Sequence, residues 1–161
     1  MIVISKPELT PRKRGEDAKA RRASSLKVKP LRGRVGFGSD DVNALSEQVI
    51  GCAIQVHQAL GPGFAEKMYS KALAYELKQR RLSFVQEQSI TVKYADVALG
   101  AQRLDFVVED TIILEVKAVY DINNFHLAQI LSYLRAADKQ LGLVFNFSRP
   151  KLQIKRVVHG L

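Results

Sequence analysis

Two carboxylates and a lysine occupy nearby positions of one predicted β-hairpin, and their types and spacing suit the binding of a cation. The apolar runs 104–108 and 112–116 flank Glu109-Asp110-Thr111, a pattern typical of a short antiparallel hairpin. A three-residue connection sets position 105 opposite 115 and position 103 opposite 117, and side chains alternate between faces along a strand. One face should therefore carry Asp105, Glu115 and Lys117. The other face is predicted to be pure core and carries Leu104, Phe106, Val108, Ile112, Leu114 and Val116.

Paired carboxylates need a compensating partner, because like charges opposite one another destabilise a sheet. A proton, a neighbouring cation or a metal ion can each supply the compensation. Oxygen ligands of this kind suit Mg²⁺ or Mn²⁺. The metal hypothesis depends on loop length, since a two-residue loop would send Asp105 and Glu115 to opposite faces. The alternative is a surface ion network in which Lys117 and Arg103 neutralise the carboxylates, and such pairs contribute little to stability.

The composition is that of one soluble domain. The chain has 161 residues and 47% hydrophobic content, which is enough for a core. No apolar run approaches membrane-spanning length and no secretory signal is visible. The single cysteine, Cys52, excludes an internal disulfide and a cysteine-based zinc site. We therefore expect a cytoplasmic protein with no membrane partner.

The positive charge is concentrated at the amino-terminal end. Residues 1–39 hold eleven Lys and Arg against three Asp and Glu, whereas residues 40–161 hold fourteen against thirteen. The first segment is predicted to be a disordered basic extension, and the second to be the folded domain. The extension could bind phosphates non-specifically. A solvated extension, or sequence upstream of the natural start, is the interpretation that charge runs favour.

Periodicity predicts the remaining elements. A first helix, capped by Ser39, Asp40 or Asn43, has its apolar positions from Leu45 to Leu60 and is stopped by Gly61-Pro62-Gly63, since paired glycines around a proline end a helix. The elements predicted after it are a helix over 64–81, a strand over 83–94, a connection over 95–100, the hairpin, a helix capped by Asn123 or Asn124 and ending near 137, a buried strand over 141–147 and an edge strand over 154–158.

Two helices carry further candidates. Glu66 lies on the same helical face as Tyr69, Leu73 and Leu77, although a glutamate in a first turn commonly just complements the helix dipole. On the third helix Gln129 and Tyr133 lie one turn apart, where an amide and a phenol could both hydrogen-bond a phosphate. The spacing alone favours an ordinary half-buried polar face. His126, on that same face, is interpreted as a surface histidine.

These motifs together resemble a known family. Asp105 followed by Glu115-Val116-Lys117 resembles the signature of the PD-(D/E)XK nuclease superfamily. Gly63-x-x-Glu66-x-x-Tyr69 resembles the motif that names the GxxExxY branch, and Gln129-x-x-x-Tyr133 resembles a motif of RecB-like exonucleases. The chain departs from the GxxExxY pattern at Phe64-Ala65, where two leucines are usual, and in its long basic extension. The resemblance implies an α/β fold with a restriction-endonuclease-like α-β-β-β-α-β core, in which helices flank a mixed central sheet.

The resemblance also implies an activity, namely metal-dependent hydrolysis of phosphodiester bonds in nucleic acid, with DNA favoured over RNA. Asp105, Glu115, the Val116 backbone carbonyl and Glu66 would bind Mg²⁺, with Mn²⁺ as a substitute. Lys117 would position the attacking water or stabilise developing charge, and Gln129 and Tyr133 would orient the substrate. The nearly neutral folded domain favours an alternative, a catalytically silent nucleic-acid-binding or accessory module on the same fold.

Overall fold

The computed structural model describes residues 38–160. Residues 1–37 of the predicted basic extension lie outside the described part of the chain. The elements are α1 (Ser39–Leu60), α2 (Glu66–Gln79), β1 (Phe84–Tyr94), β2 (Val97–Val108), β3 (Ile112–Lys117), α3 (Asn124–Ala137), β4 (Leu141–Asn146) and β5 (Gln153–Val158). The predicted order of helices and strands is therefore confirmed. Within residues 38–160, no helix combines the length and the apolar character needed to cross a bilayer.

The strands form one mixed sheet of five, in the order β1-β2-β3-β4-β5. β3 and β4 run parallel, and the other neighbouring pairs are antiparallel. Parallel neighbours need a crossover connection, and α3 supplies it. β4 is buried along its whole length, as its continuous apolar run predicts, because a strand between two others and two helix layers has no solvent face.

A hydrophobic cluster covers each face of the sheet. The first joins α1 and α2 to the sheet through residues such as Val49, Leu73 and Phe106. The second joins α3 to the sheet through residues such as Ile130 and Val144. The carboxyl ends of β3 and β4 thus lie between two helical layers, where the loops that follow them can form a site.

Several element boundaries differ from the predictions. The N-cap of α1 is Gly38, whose N–H donates to Asp41 Oδ2 at 3.2 Å, so none of the three predicted caps is correct. Gly61 does end α1, with φ at 65°, whereas Leu60 is 37% exposed rather than buried. α2 is shorter than predicted at both ends. The connection from β1 to β2 contains only Ala95 and Asp96, because β2 pairs with β1 back to Val97.

The pairing of β1 with β2 is interrupted at Glu87. This residue has φ at 52°, which is uncommon for a residue other than glycine. It lies between the pairs Gln86↔Phe106 and Gln88↔Leu104. Phe106 belongs to the cluster under α1 and α2, but Leu104 packs in the cluster under α3. The prediction that Leu104 shares a face with Phe106 is therefore wrong, and the other five predicted core positions are confirmed.

Candidate active site

The site begins where β2 and β3 separate. Their pairing is Val108↔Ile112, Val107↔Ile113 and Phe106↔Leu114, which confirms the register predicted from a three-residue loop. Beyond Leu114 the ladder stops, and Asp105 Oδ2 accepts a hydrogen bond from the Val116 N–H at 2.9 Å. A carboxylate oxygen therefore takes the place of a strand carbonyl.

The predicted oppositions of 105 with 115 and of 103 with 117 do not occur as strand pairs, because the ladder between β2 and β3 ends at Phe106↔Leu114. The Arg103 guanidinium instead lies 4.0 Å from Glu87, and both side chains are largely exposed. An ion network in which Arg103 neutralises the carboxylate pair is thus not the arrangement observed.

Glu115 is a buried carboxylate with one oxygen left unpaired. Its neighbour on the far side is β4, through the pair Glu115↔Val144, and the residue is only 3% exposed. Oε2 accepts from Lys117 Nζ at 3.1 Å. Oε1 is buried and has no hydrogen-bond partner among the described residues. Burial, followed by the charge of Asp105, raises the pKa of Glu115 to about 7, against the opposing effect of Lys117.

The two charged neighbours of Glu115, Asp105 and Lys117, also have raised pKa values. Burial raises the pKa of Asp105, although the Val116 N–H and then Lys117 lower it. Burial by itself would lower the pKa of Lys117, but Glu115 and Asp105 outweigh it and raise the value. One lysine thus serves two carboxylates, and the site retains an excess of negative charge that favours a further cation.

α2 contributes Glu66 from its first turn. The Glu66 carboxylate accepts a hydrogen bond from the Ala118 N–H at 3.1 Å, so it reaches the backbone just beyond Lys117, the last residue of β3. The residue itself is exposed. The helical face that Glu66 shares with Tyr69 does not bury the carboxylate, and the contact that it makes is with the main chain.

Tyr69 positions the loop that precedes Glu66, a role that neither its apolar helical face nor its place in the Gly63-x-x-Glu66-x-x-Tyr69 motif predicted. Its hydroxyl donates to the Gly61 carbonyl at 2.7 Å and accepts from the Phe64 N–H at 3.1 Å. Its ring stacks on Phe147 with centroids 4.5 Å apart. The spacing of Tyr69 from Gly63 and Glu66 was the available signal. The tyrosine holds the loop, and the loop sets where α2 begins.

α3 brings Tyr133 to the carboxylates. Tyr133 is 5% exposed, and its pKa is raised by burial first and by the charge of Glu115 second, while Gln129 opposes the change. Tyr133 therefore lies beside the predicted site, with the partly buried Gln129 next to it. His126 belongs to the cap of α3, because its Nδ1 accepts a hydrogen bond from the Asn123 N–H at 3.1 Å.

The donor set suits a hard divalent ion. Asp105 and Glu115 offer carboxylate oxygens, one of them unpaired, which is the kind of ligand Mg²⁺ takes while keeping several waters. Among residues 38–160, no group of three or more His, Cys, Asp and Glu side chains is arranged to hold a metal ion. The structure thus brings together two of the predicted carboxylate ligands, whereas the third, Glu66, is bound to the Ala118 N–H.

Fold and site together define a class of protein. A mixed α/β sheet with flanking helices carries an aspartate, a glutamate and a lysine where the pairing of two neighbouring strands ends, and this is the arrangement of restriction-endonuclease-like nucleases. The profile of the PD-(D/E)XK nuclease superfamily matches residues 43–157. The chain belongs to this superfamily, whose substrate is nucleic acid and whose members generally use divalent metals.

Other comparisons concern the fold alone. No curated protein matches the chain. Among solved structures, SSO0001 has 15% identity and a TM-score of 0.48, and the match covers 59% of this chain and 50% of that one. An alkaline exonuclease (LHK-Exo) from Laribacter hongkongensis has 12% identity and a TM-score of 0.44, with 76% and 71% of the two chains covered. This chain thus spans half the length of SSO0001.

Proposed function

We propose that the protein is a nuclease that requires Mg²⁺, for which Mn²⁺ can substitute, and that it hydrolyses DNA in preference to RNA. One observation carries the proposal: Glu115 is 3% exposed, and one of its carboxylate oxygens is buried without a partner among residues 38–160. A buried anionic oxygen that lacks a hydrogen bond is costly. Because Asp105 lies next to Glu115, a bound divalent cation would relieve both the desolvation and the mutual repulsion of the carboxylates.

Two carboxylates and one backbone carbonyl form the proposed metal site. Asp105 and Glu115 would hold the metal ion together with the Val116 carbonyl, which points to the same side of β3 as the Val116 N–H. Glu66 would contribute from α2, directly or through a water. When bound, the ion supplies a water of lowered pKa and polarises the scissile phosphodiester.

The lysine and the α3 residues would act on the substrate. Lys117 Nζ lies 3.1 Å from Glu115, where it can donate a hydrogen bond to the attacking water and offset the negative charge that develops on phosphate. Gln129 and Tyr133, beside Glu115, would orient the phosphate or the substrate strand. The resemblance to the superfamily implies that this hydrolysis leaves a 5′-phosphate.

The GxxExxY branch is the proposed subgroup, supported by the joint positions of Gly63, Glu66 and Tyr69 in the loop and first turn of α2. A cytoplasmic location is proposed with it, supported by the single buried cysteine, Cys52, which suits a reducing compartment.

The accessory module is the second candidate. Residues 40–161 contain fourteen basic against thirteen acidic residues, whereas proteins that bind long duplexes commonly present a basic groove. Such a module would keep the nuclease fold and bind nucleic acid without hydrolysing it.

A cleavage assay on the full chain separates the two candidates. Labelled single- and double-stranded DNA and RNA are incubated with Mg²⁺, Mn²⁺ or a chelator, and the wild type is compared with Asp105→Ala, Glu115→Gln and Lys117→Ala. The matched control is Glu87→Gln, since Glu87 has a side chain 71% exposed. We expect metal-dependent cleavage that each of the three site variants lowers by roughly 100-fold or more and that the control retains.

The opposite result is equally clear. Absence of cleavage on every substrate, together with calorimetric titrations in which Mg²⁺ and Mn²⁺ binding does not depend on Asp105 or Glu115, would refute the nuclease proposal and favour the accessory module.

A further inference from the structure

An aromatic side chain projects into solvent just beyond the carboxyl end of β3. Tyr120 is 82% exposed, the highest value among the large apolar side chains of residues 38–160. The Arg149 guanidinium carbon lies 4.6 Å from the centroid of its ring, within the range of a cation–π contact. An arginine thus covers part of the ring, and most of the ring remains open to a planar ligand.

Val119, the residue before Tyr120, is held by hydrogen bonds to both its backbone N–H and its backbone carbonyl. Asn146, which is fully buried, accepts from the Val119 N–H at 3.1 Å and donates to the Val119 carbonyl at 2.9 Å. The Ser148 hydroxyl donates to the same carbonyl. The exposure of Tyr120 is therefore a consequence of a fixed main chain, because the preceding residue is anchored to the end of β4.

Arg149 is positioned from the opposite direction. The ring of His57, which is buried at the end of α1, donates from Nε2 to the Arg149 carbonyl at 2.8 Å. Arg149 and Lys151 also line an open groove next to Tyr120, together with Asp121, Pro150, Leu152 and Gln153. The Asp121 carboxylate is engaged internally, since it accepts from the Ile122 N–H at 3.0 Å and from the Gln153 amide. The groove therefore carries two basic side chains against one acidic side chain, and Oδ1 of that carboxylate already accepts both hydrogen bonds.

Tyr120 lies close enough to Lys117 to contact a nucleotide next to one bound at the candidate active site. Tyr120 follows Lys117 by three residues, so their Cα atoms are at most about 11 Å apart. Both residues lie at the carboxyl ends of the parallel strands, the edge at which open α/β sheets bind ligands. A strand bound at Lys117 would pass Tyr120 within one or two nucleotides.

We propose that Tyr120 and Arg149 form a stacking platform for an unpaired base, and hence that the substrate is bound as a single strand. Bases stack on aromatic rings and on guanidinium planes, and basic residues beside the ring track the phosphates. Bases inside a duplex are already stacked on one another and leave no free face for the ring. This inference rests on the proposed function, because it names the form of nucleic acid that the site takes.

Binding in the presence of a chelator tests the platform without cleavage. The affinity of the full chain for a short single-stranded oligo(dT) is measured by fluorescence anisotropy and compared with that for an abasic oligonucleotide of equal length. Tyr120→Ala should weaken oligo(dT) binding by roughly 5- to 150-fold, the range of a base–aromatic stack. Tyr120→Phe should stay within about twofold, because it keeps the ring. On the abasic strand, wild type and Tyr120→Ala should bind alike.

The matched control is Tyr94→Ala, which removes a tyrosine 76% exposed at the end of β1 and should leave affinity unchanged. The chain contains no tryptophan, so Tyr120→Trp and Tyr94→Trp each introduce a unique reporter. Oligo(dT) should quench the fluorescence of the first and leave that of the second unaltered, as stacking requires.

Two results would overturn the platform: unchanged oligo(dT) affinity in Tyr120→Ala, or an equal loss on the abasic strand, which would mean that the residue acts on phosphate. The failures of the two proposals are distinguishable. Cleavage by the wild type, with oligo(dT) binding indifferent to Tyr120, refutes the platform and leaves the nuclease. Ring-dependent binding without any cleavage refutes the nuclease and leaves the platform.

Discussion

The buried carboxylate of Glu115 should make the metal-free protein less stable as pH rises, and Glu115→Gln should remove this dependence. Glu115 is 3% exposed and one of its oxygens has no partner among the described residues. The ionised form is therefore poorly compensated in the folded state and well hydrated in the unfolded state. Glutamine keeps the shape of the side chain and cannot ionise.

The magnitude follows from the two pKa values. The ordinary pKa of a glutamate is 4.5, and burial raises that of Glu115 to about 7. Between these values the folded protein binds more protons than the unfolded chain, so the free energy of unfolding falls as pH increases through that interval. Each pKa unit corresponds to about 1.4 kcal/mol, and the loss should therefore approach about 3 kcal/mol above neutral pH.

Urea denaturation, followed by circular dichroism in the presence of a chelator, measures this quantity. The informative value is the difference in unfolding free energy between wild type and Glu115→Gln at each pH from about 5 to about 8. Other titrating groups affect both proteins alike, and the pairing of ionised Glu115 with Lys117 is already contained in the folded-state pKa. Glu87→Gln, at an exposed carboxylate, should follow the wild type. Adding Mg²⁺ at the alkaline end should restore stability to the wild type and not to Glu115→Gln.

Parallel pH profiles for wild type and Glu115→Gln would refute the reasoning. They would mean that Glu115 ionises as readily in the folded protein as in the unfolded chain, so that burial imposes no need for a cation. The central observation behind the proposed function would then be lost.

Three further results are expected. Tyr69→Phe should lower the free energy of unfolding, measured in urea, by about 1–2 kcal/mol, because the Gly61 carbonyl loses its donor. The same variant should reduce cleavage. The control Tyr75→Phe, at a tyrosine 60% exposed, should change neither quantity. Gly142→Ala should lower the free energy of unfolding, measured in urea, by about 1–3 kcal/mol, because a Cβ there would lie 2.6 Å from Ile130 Cδ1. The double variant Gly142→Ala/Ile130→Ala should lose less stability than the two single variants lose in sum. Divalent-metal affinity, measured by calorimetry, should rise as pH increases through about 7, because a ligand must lose its proton; a flat profile would contradict it.

Much of the framework was predictable because its signals are local. Helical spacing identified the buried positions Tyr69, Leu73 and Leu77 of α2, and Asn123 is the predicted cap of α3, accepting from the Phe125 N–H at 3.0 Å. The three-residue connection after Val108 determined the pairing of the hairpin. Each of these features depends on residues within a few positions of one another.

The errors arose where local geometry departed from the pattern. An uninterrupted alternation placed Leu104 on the face of Phe106, but the pairing of β1 with β2 is interrupted between these two residues, opposite Glu87, which has a left-handed conformation. Side-chain preference favoured Ser39, Asp40 or Asn43 as the first cap, whereas Gly38 occupies that position. Neither backbone conformation is encoded in hydrophobic periodicity.

The sequence by itself determined the length of the hairpin loop and hence the register of β2 and β3, which brings Asp105 close to Glu115 and Lys117. Only the tertiary structure decided how that site is charged and what surrounds it. Glu115 is desolvated because β4 packs beside it, although Val144 is remote in sequence. Tyr120 is held in the open by Asn146, 27 positions after Val119. Periodicity reports the direction of a side chain, whereas desolvation and long-range hydrogen bonds depend on which element packs opposite it.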